Sequence, residues 1–151
     1  MSDFKLKGLE DLDRKLKQLS NPRKVKNIAR KALRQGANVV RDAARQNAKD
    51  VDDPETADKI WKNIAVQGGK SRNSSDVVMR IGVRGGASFS NPNPPKTPGG
   101  DTRHWRWIEL GASHFPPVPF MRPALNTNTQ PVTNRFIQVF NTELDKELQI
   151  K

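Results

Sequence analysis

W-I-E-L-G-A-S-H-F-P-P-V-P-F-M-R-P-A-L, Trp107 to Leu125, is the stretch whose reading decides the fold. Pro116, Pro117, Pro119 and Pro123 each hold φ at about −65° and lack a backbone donor. Each also pushes its predecessor towards extended geometry. The stretch is therefore neither mostly helix nor a central strand. It still carries Trp107, Ile108, Leu110, Phe115, Val118, Phe120, Met121 and Leu125, too much apolar surface for a solvated linker. It reads as a stiff extended connector packed on the domain, with Pro123 in the first turn of a last helix.

Downstream, Leu125, Val132, Phe136, Val139, Phe140, Leu144 and Leu148 recur at helical spacing and predict a C-terminal amphipathic helix ending near Gln149. Pro131 would cost about 3 kcal/mol in a helix interior, so regular helix is expected to begin near it. Upstream, residues 84–103 are rich in Gly, Pro, Ser, Asn and Thr and read as a flexible loop. Before them, Asp76 to Val83 alternates Val77, Met79, Ile81 and Val83 with Val78, Arg80 and Gly82, which predicts a half-buried strand. A partner strand over 63–67 completes a hairpin through a loop at 68–75. Glu55 to Asn63 reads as one or two helical turns, with Ile60, Trp61 and Ile64 pointing inwards.

Two helices open the chain. Leu9, Leu12, Leu16 and Leu19 mark a short one over 9–19, and Ser20 or Asn21 followed by Pro22 marks a stop and restart. The next is long, about Pro22 to Lys49, with small apolar residues around Gly36 and Ala37 that permit close approach of another element. The expected fold class is α+β in one domain over 1–151: two N-terminal helices, a small antiparallel sheet, and a C-terminal helix packed on it.

The chain has 151 residues, 34% of them hydrophobic, and a formal net charge of +11. Residues 1–49 hold fourteen Lys or Arg against five Asp or Glu, so most of the excess lies there. Arg23, Lys26, Arg30, Arg34, Arg41 and Arg45 gather on one side of the long helix, opposite its apolar face. They form either a phosphate-tracking or acidic-partner surface, or a solvated helix face. No base-reading motif accompanies them.

Catalytic patterns are missing. No cysteine is present, which removes disulfide, thiolate and zinc–thiolate chemistry. His104 and His114 have no second histidine or carboxylate at ligand spacing. Asp50, Asp52, Asp53 and Glu55 lack the glycine and the final glutamate of a calcium loop, so a helix-ending turn is the plainer account. Gly82 to Gly86 is not a phosphate loop, and no serine elbow occurs. No enzyme activity, cofactor or metal is expected. The N-terminus has no signal-peptide core and no run of about eighteen apolar residues spans a membrane. A protein of the reducing cytoplasm fits.

The order of elements resembles a known family. G-L-x-x-L-x-x-K-L at Gly8 to Leu16 precedes the long helix, an I-x-V strand and V-x-x-x-I-G-V at Val77 to Val83. Ile108, Glu109, Leu110, Gly111 and Ser113, then Pro119, Phe120, Met121, Arg122, Pro123 and Ala124, complete the pattern. The chain resembles the tail-completion, or tail-to-head joining, proteins of long-tailed lambda-like bacteriophages. The resemblance implies a structural virion protein of the neck, made in the host cytoplasm, that caps the head-proximal end of the tail. It implies a homo-oligomeric ring, six copies by expectation, touching the tail terminator or tail-tube protein and head-connector proteins. DNA passing through the neck would give the basic helix a role. The alternative is a basic nucleic-acid-binding accessory protein.

On that reading Trp107, Glu109, Phe115, Phe120, Met121 and Arg122 are interface candidates. Phe120 and Met121 would anchor in a neighbouring subunit, with Arg122 pairing an acid across the contact. Glu109 would instead pair with Arg106 or Arg122 inside the subunit. The other reading is that the segment closes its own domain.

Overall fold

A computed structural model describes residues 9–19, 21–74, 76–84, 93 and 96–149. The order is α1 (Leu9–Gln18), α2 (Pro22–Val51), α3 (Ile60–Asn63), β1 (Ile64–Gly69), β2 (Val78–Val83), α4 (Trp105–Leu110), α5 (Met121–Asn126) and α6 (Thr129–Gln149). This is the expected α+β class.

Thirty residues make α2 the axis of the fold, about 45 Å long. Asn21 caps it by accepting from the N–H groups of Arg23 (3.1 Å) and Lys24 (3.4 Å), and Pro22 takes the first helical position. Its apolar stripe serves two clusters. Val40, Ala44 and Ala48 bury against Ile60, Ile64, Phe120 and Ala124 at one end. Ala32, with Val25, Ile28 and Ala29 beside it, meets Leu19, Phe140 and Leu144 at the other. Between them α2 packs tightly on α6 at Gly36, where an added Cβ would lie 3.1 Å from the Val132 carbonyl oxygen. The small residues there do permit the close approach expected of them.

β1 and β2 pair antiparallel in a two-stranded sheet, from Ile64↔Val83 to Gly69↔Val78. Ile64, Ile81 and Val83 turn into the first cluster. The C-terminal helix α6 reaches this sheet region through Val132 and lies along α2 and α1 for the rest of its length. Leu16 and Leu19 hold the N-terminal end in the second cluster; the side chains of Leu9 and Leu12 lie outside the described residues.

Several expected boundaries move. α3 is one turn, the shorter of the two lengths expected, and starts at Ile60 rather than near Glu55, where the Asp52 carboxylate takes the Ile60 (2.7 Å) and Trp61 (3.2 Å) N–H groups. The last helix does not run on from Pro123. α5 stops at Asn126, and Thr127 and Asn128 interrupt the chain before α6 begins at Thr129. Pro131 thus sits in the first turn of α6, where its missing N–H has no intrahelical partner to lose. Leu125, placed in the helical stripe by periodicity, belongs to α5 and is 53% exposed.

Of the glycine- and proline-rich segment 84–103, residues 85–92, 94 and 95 lie outside the described residues. Its second half is fixed by a side chain that periodicity does not mark. Asn63 is fully buried and donates to Thr97 Oγ1 (3.0 Å), the Gly100 carbonyl (3.1 Å) and Thr102 Oγ1 (2.6 Å). Its oxygen accepts from the Gly99 N–H at 2.8 Å. A buried amide is tolerated only when satisfied, and here it ties 97–102 to the end of α3.

Candidate assembly interface

The segment from Trp107 to Leu125 folds as two short helices joined by an extended loop. Gly111 ends α4 with φ 81° and ψ 170°, a region open essentially to glycine, and donates to the Trp107 carbonyl at 2.7 Å. A Cβ there would also fall 2.9 Å from Pro117 Cδ. Ala112 bridges Phe115, and the Val118 N–H donates to the Ile108 carbonyl at 2.8 Å, so the proline run folds back onto α4.

Glu109 closes the segment. It is buried, and its carboxylate accepts from the backbone N–H groups of Phe120 (2.7 Å), Met121 (2.9 Å) and Arg122 (2.9 Å). These are unpaired donors at the start of α5, where Phe120 offers no side-chain cap. The expected pairing with Arg106 or Arg122 is corrected accordingly. The carboxylate is spent on backbone donors, Arg106 lies over the Trp105 ring at 5.7 Å, and the Arg122 side chain is exposed.

Phe120 is 0% exposed and packs on Val40, Ala44 and Ile60. The expectation that it anchors in a neighbour is corrected on the same ground, since its ring already fills its own core. Its carbonyl accepts from Asn47 Nδ2 at 3.2 Å. Met121 is half-buried against the same cluster. Of the six interface candidates, Trp107 (47% exposed) and Phe115 (45%) show apolar surface to solvent. Leu110 (64%), Val118 (51%) and Leu125 (53%) join them, and the sequence reading passed over these three as interface residues. Every large hydrophobic residue exposed among the described residues comes from this one segment. Helical spacing was the available signal: Trp107 and Leu110, three residues apart, share one face of α4, and that face is exposed.

The basic residues of α2 divide. Arg23, Arg30 and Arg34 are exposed. Arg30 reaches the Asn27 side chain at 3.3 Å, Arg41 pairs with Asp42 at 2.9 Å, and Lys26 Nζ donates to the Ser74 carbonyl. Arg45 turns inward, donating through Nε (3.0 Å) and Nη2 (2.7 Å) to the Ile64 carbonyl at the start of β1. Burial lowers its pKa, the repulsion of Arg41 and Arg84 adds to this, and Asp42 opposes it. The acids of the α2–α3 turn serve backbone donors. Besides Asp52, Asp53 accepts from the Glu55 N–H at 2.9 Å and Asp58 from the Asp101 N–H at 3.2 Å. No group of three or more His, Cys, Asp or Glu residues fit to hold a metal occurs among the described residues. No described helix is long and apolar enough to cross a membrane.

Residues 10–111, about two thirds of the chain, match the model of the HK97-gp10-like family, described as "Bacteriophage HK97-gp10, putative tail-component". The match takes in α2, the hairpin and the W-I-E-L-G block, and ends before P-F-M-R-P-A. No curated protein and no solved structure matches. On the extent of that match the chain belongs to the HK97-gp10-like family and is a tail-related structural protein of a bacteriophage virion, working among other phage structural proteins.

Proposed function

We propose that this tail protein acts at the neck. It caps the head-proximal end of the tail as a homo-oligomeric ring of six copies and joins the tail to the head. It contacts the tail terminator or tail-tube protein on one side and head-connector proteins on the other, and performs no catalysis. The observation that carries this reading is the confinement of exposed large hydrophobics, among the described residues, to 107–125. Apolar surface gathered in one place marks a contact site more than scattered residues do.

The stiffness of the segment supports the same reading. Prolines and the Glu109 clasp fix the loop before it meets a partner, so little conformational entropy is lost on docking. Trp107, Leu110, Phe115 and Val118 supply the apolar contact, while Phe120 and Met121 hold the platform from beneath. The test is native mass determination of the protein alone and with purified tail tubes, followed by particle imaging. A ring seated on the head-proximal tube end is expected. A chain that stays monomeric and ignores tails under assembly conditions would refute the proposal.

A further inference from the structure

The charges on α2 are segregated by partner. Lys24 and Lys31 pair with Glu147 and Glu143 of α6, the second pair at 2.9 Å, and Lys15 of α1 pairs with Asp145. The acids of α6 thus neutralise lysines within the fold. On the arginine side the only acids of α2 itself are Asp42, which pairs with Arg41, and Asp50 near its end. Arg23, Arg30 and Arg34 have no carboxylate partner among the described residues. At about 100° per residue, Arg23, Arg30, Arg34 and Arg41 fall within roughly 40° of one another, in one row along the helix.

The hairpin lies alongside α2 over the same stretch. Arg45 Nη2 on the Ile64 carbonyl ties the open end of the sheet to α2, and Lys26 on the Ser74 carbonyl ties the loop end. Across the hairpin, the Arg84 N–H donates to the Asn63 carbonyl at 2.8 Å, which places Arg84 one residue pair beyond Ile64 and Val83. Ile81 and Val83 face the core, so Arg80, Gly82 and Arg84 face outwards. Both arginines are exposed, line a hollow with Gln67 and Ala65, and have no carboxylate partner among the described residues.

We infer that Arg30, Arg34 and Arg41 of α2, with Arg80 and Arg84 of the hairpin, form one track that binds the phosphate backbone of duplex DNA without reading its sequence. The row from Arg23 to Arg41 spans about 27 Å of helix, most of one turn of B-DNA at roughly 34 Å. A rod-like polyanion with a charge about every 1.7 Å is the ligand that meets a one-sign row of that length. The row is built of guanidinium forks, which suit bidentate phosphate contact. The inference stands apart from the neck reading, since it uses none of the residues of 107–125.

The experiment is fluorescence anisotropy with a mixed-sequence duplex of roughly three turns, titrated across salt concentrations. Each phosphate contact contributes about 0.9 to the slope of log K against log salt, so Arg80→Gln with Arg84→Gln should lower it by about 1.8. Arg30→Gln with Arg34→Gln should do the same from the other end of the track. Lys24→Gln with Lys31→Gln, the same charge loss off the track, should leave the slope unchanged. Thermal melting confirms that each variant is folded. Absence of salt-dependent binding, an unchanged slope in both arginine pairs, or an equal drop in the lysine pair would overturn the track. Poly-glutamate binding as tightly as the duplex would assign the surface to an acidic protein instead and overturn the DNA assignment.

Discussion

The Glu109 carboxylate accepts a hydrogen bond from the backbone N–H of Phe120 at 2.7 Å, across eleven residues of proline-rich chain. With the Met121 and Arg122 N–H groups on the same carboxylate, one buried side chain fixes both the return of the loop and the start of α5. Glu109→Gln keeps an acceptor but loses its charge and part of its capacity. It should cost about 1–3 kcal/mol, read as a lower urea midpoint with unchanged m value, and Glu109→Ala should cost more. A Gln variant as stable as wild type would show that the charge adds nothing, and an Ala variant as stable would show that the clasp contributes nothing.

Phe120 is fully buried at the junction of α2, α3 and α5. Phe120→Ala should therefore destabilise the isolated chain by about 3–5 kcal/mol, seen in chemical denaturation of the monomer. A variant that keeps its monomer stability while losing assembly would restore Phe120 as an intersubunit anchor.

Gly111 holds a backbone conformation essentially closed to other residues, against Pro117. Gly111→Ala should cost about 1–3 kcal/mol from the backbone alone, with the Pro117 contact adding to it. Displacement of the 112–119 loop should accompany the loss, visible as faster amide exchange at Val118, whose N–H bonds the Ile108 carbonyl. Unchanged exchange there would contradict the packed geometry.

Glu143 is held below its ordinary pKa of 4.5, chiefly by the hydrogen bond from Lys31; burial opposes this, and Lys146 adds to the lowering. A carboxylate with a lowered folded pKa adds stability that is complete above about 4.5 and is lost as pH falls through the folded value. Glu143→Gln should therefore flatten part of the acid limb of the stability curve and leave its shape above pH 6 unchanged. Melting curves of both proteins across that window check this, and parallel acid limbs would count against it.

Much of the fold is legible in the residues because periodicity and capping agree. α2 begins where Asn21 and Pro22 place it, and β2 alternates as Met79, Arg80 and Ile81 require. The sequence places Phe120 in an apolar segment but does not say whose core it fills. That depends on the Asn47 and Glu109 bonds, which join residues far apart in the chain. Asn63 escaped notice for a similar reason: a lone polar residue at a helix end carries no pattern, and its partners lie more than thirty residues away. Leu110, Val118 and Leu125 read only as apolar residues of a packed segment, and it is the path of the chain that turns them outward.

The central claim is that the outward apolar residues of 107–125 exist to be covered by neighbours in the virion. Its most direct test is native mass measurement of Leu110→Ser with Val118→Ser, alone and with tail tubes, beside the wild type. Both side chains are exposed, so the monomer should unfold within about 0.5 kcal/mol of wild type, while ring formation and attachment to tails should be lost. A double variant that assembles onto tails as the wild type does would contradict the claim.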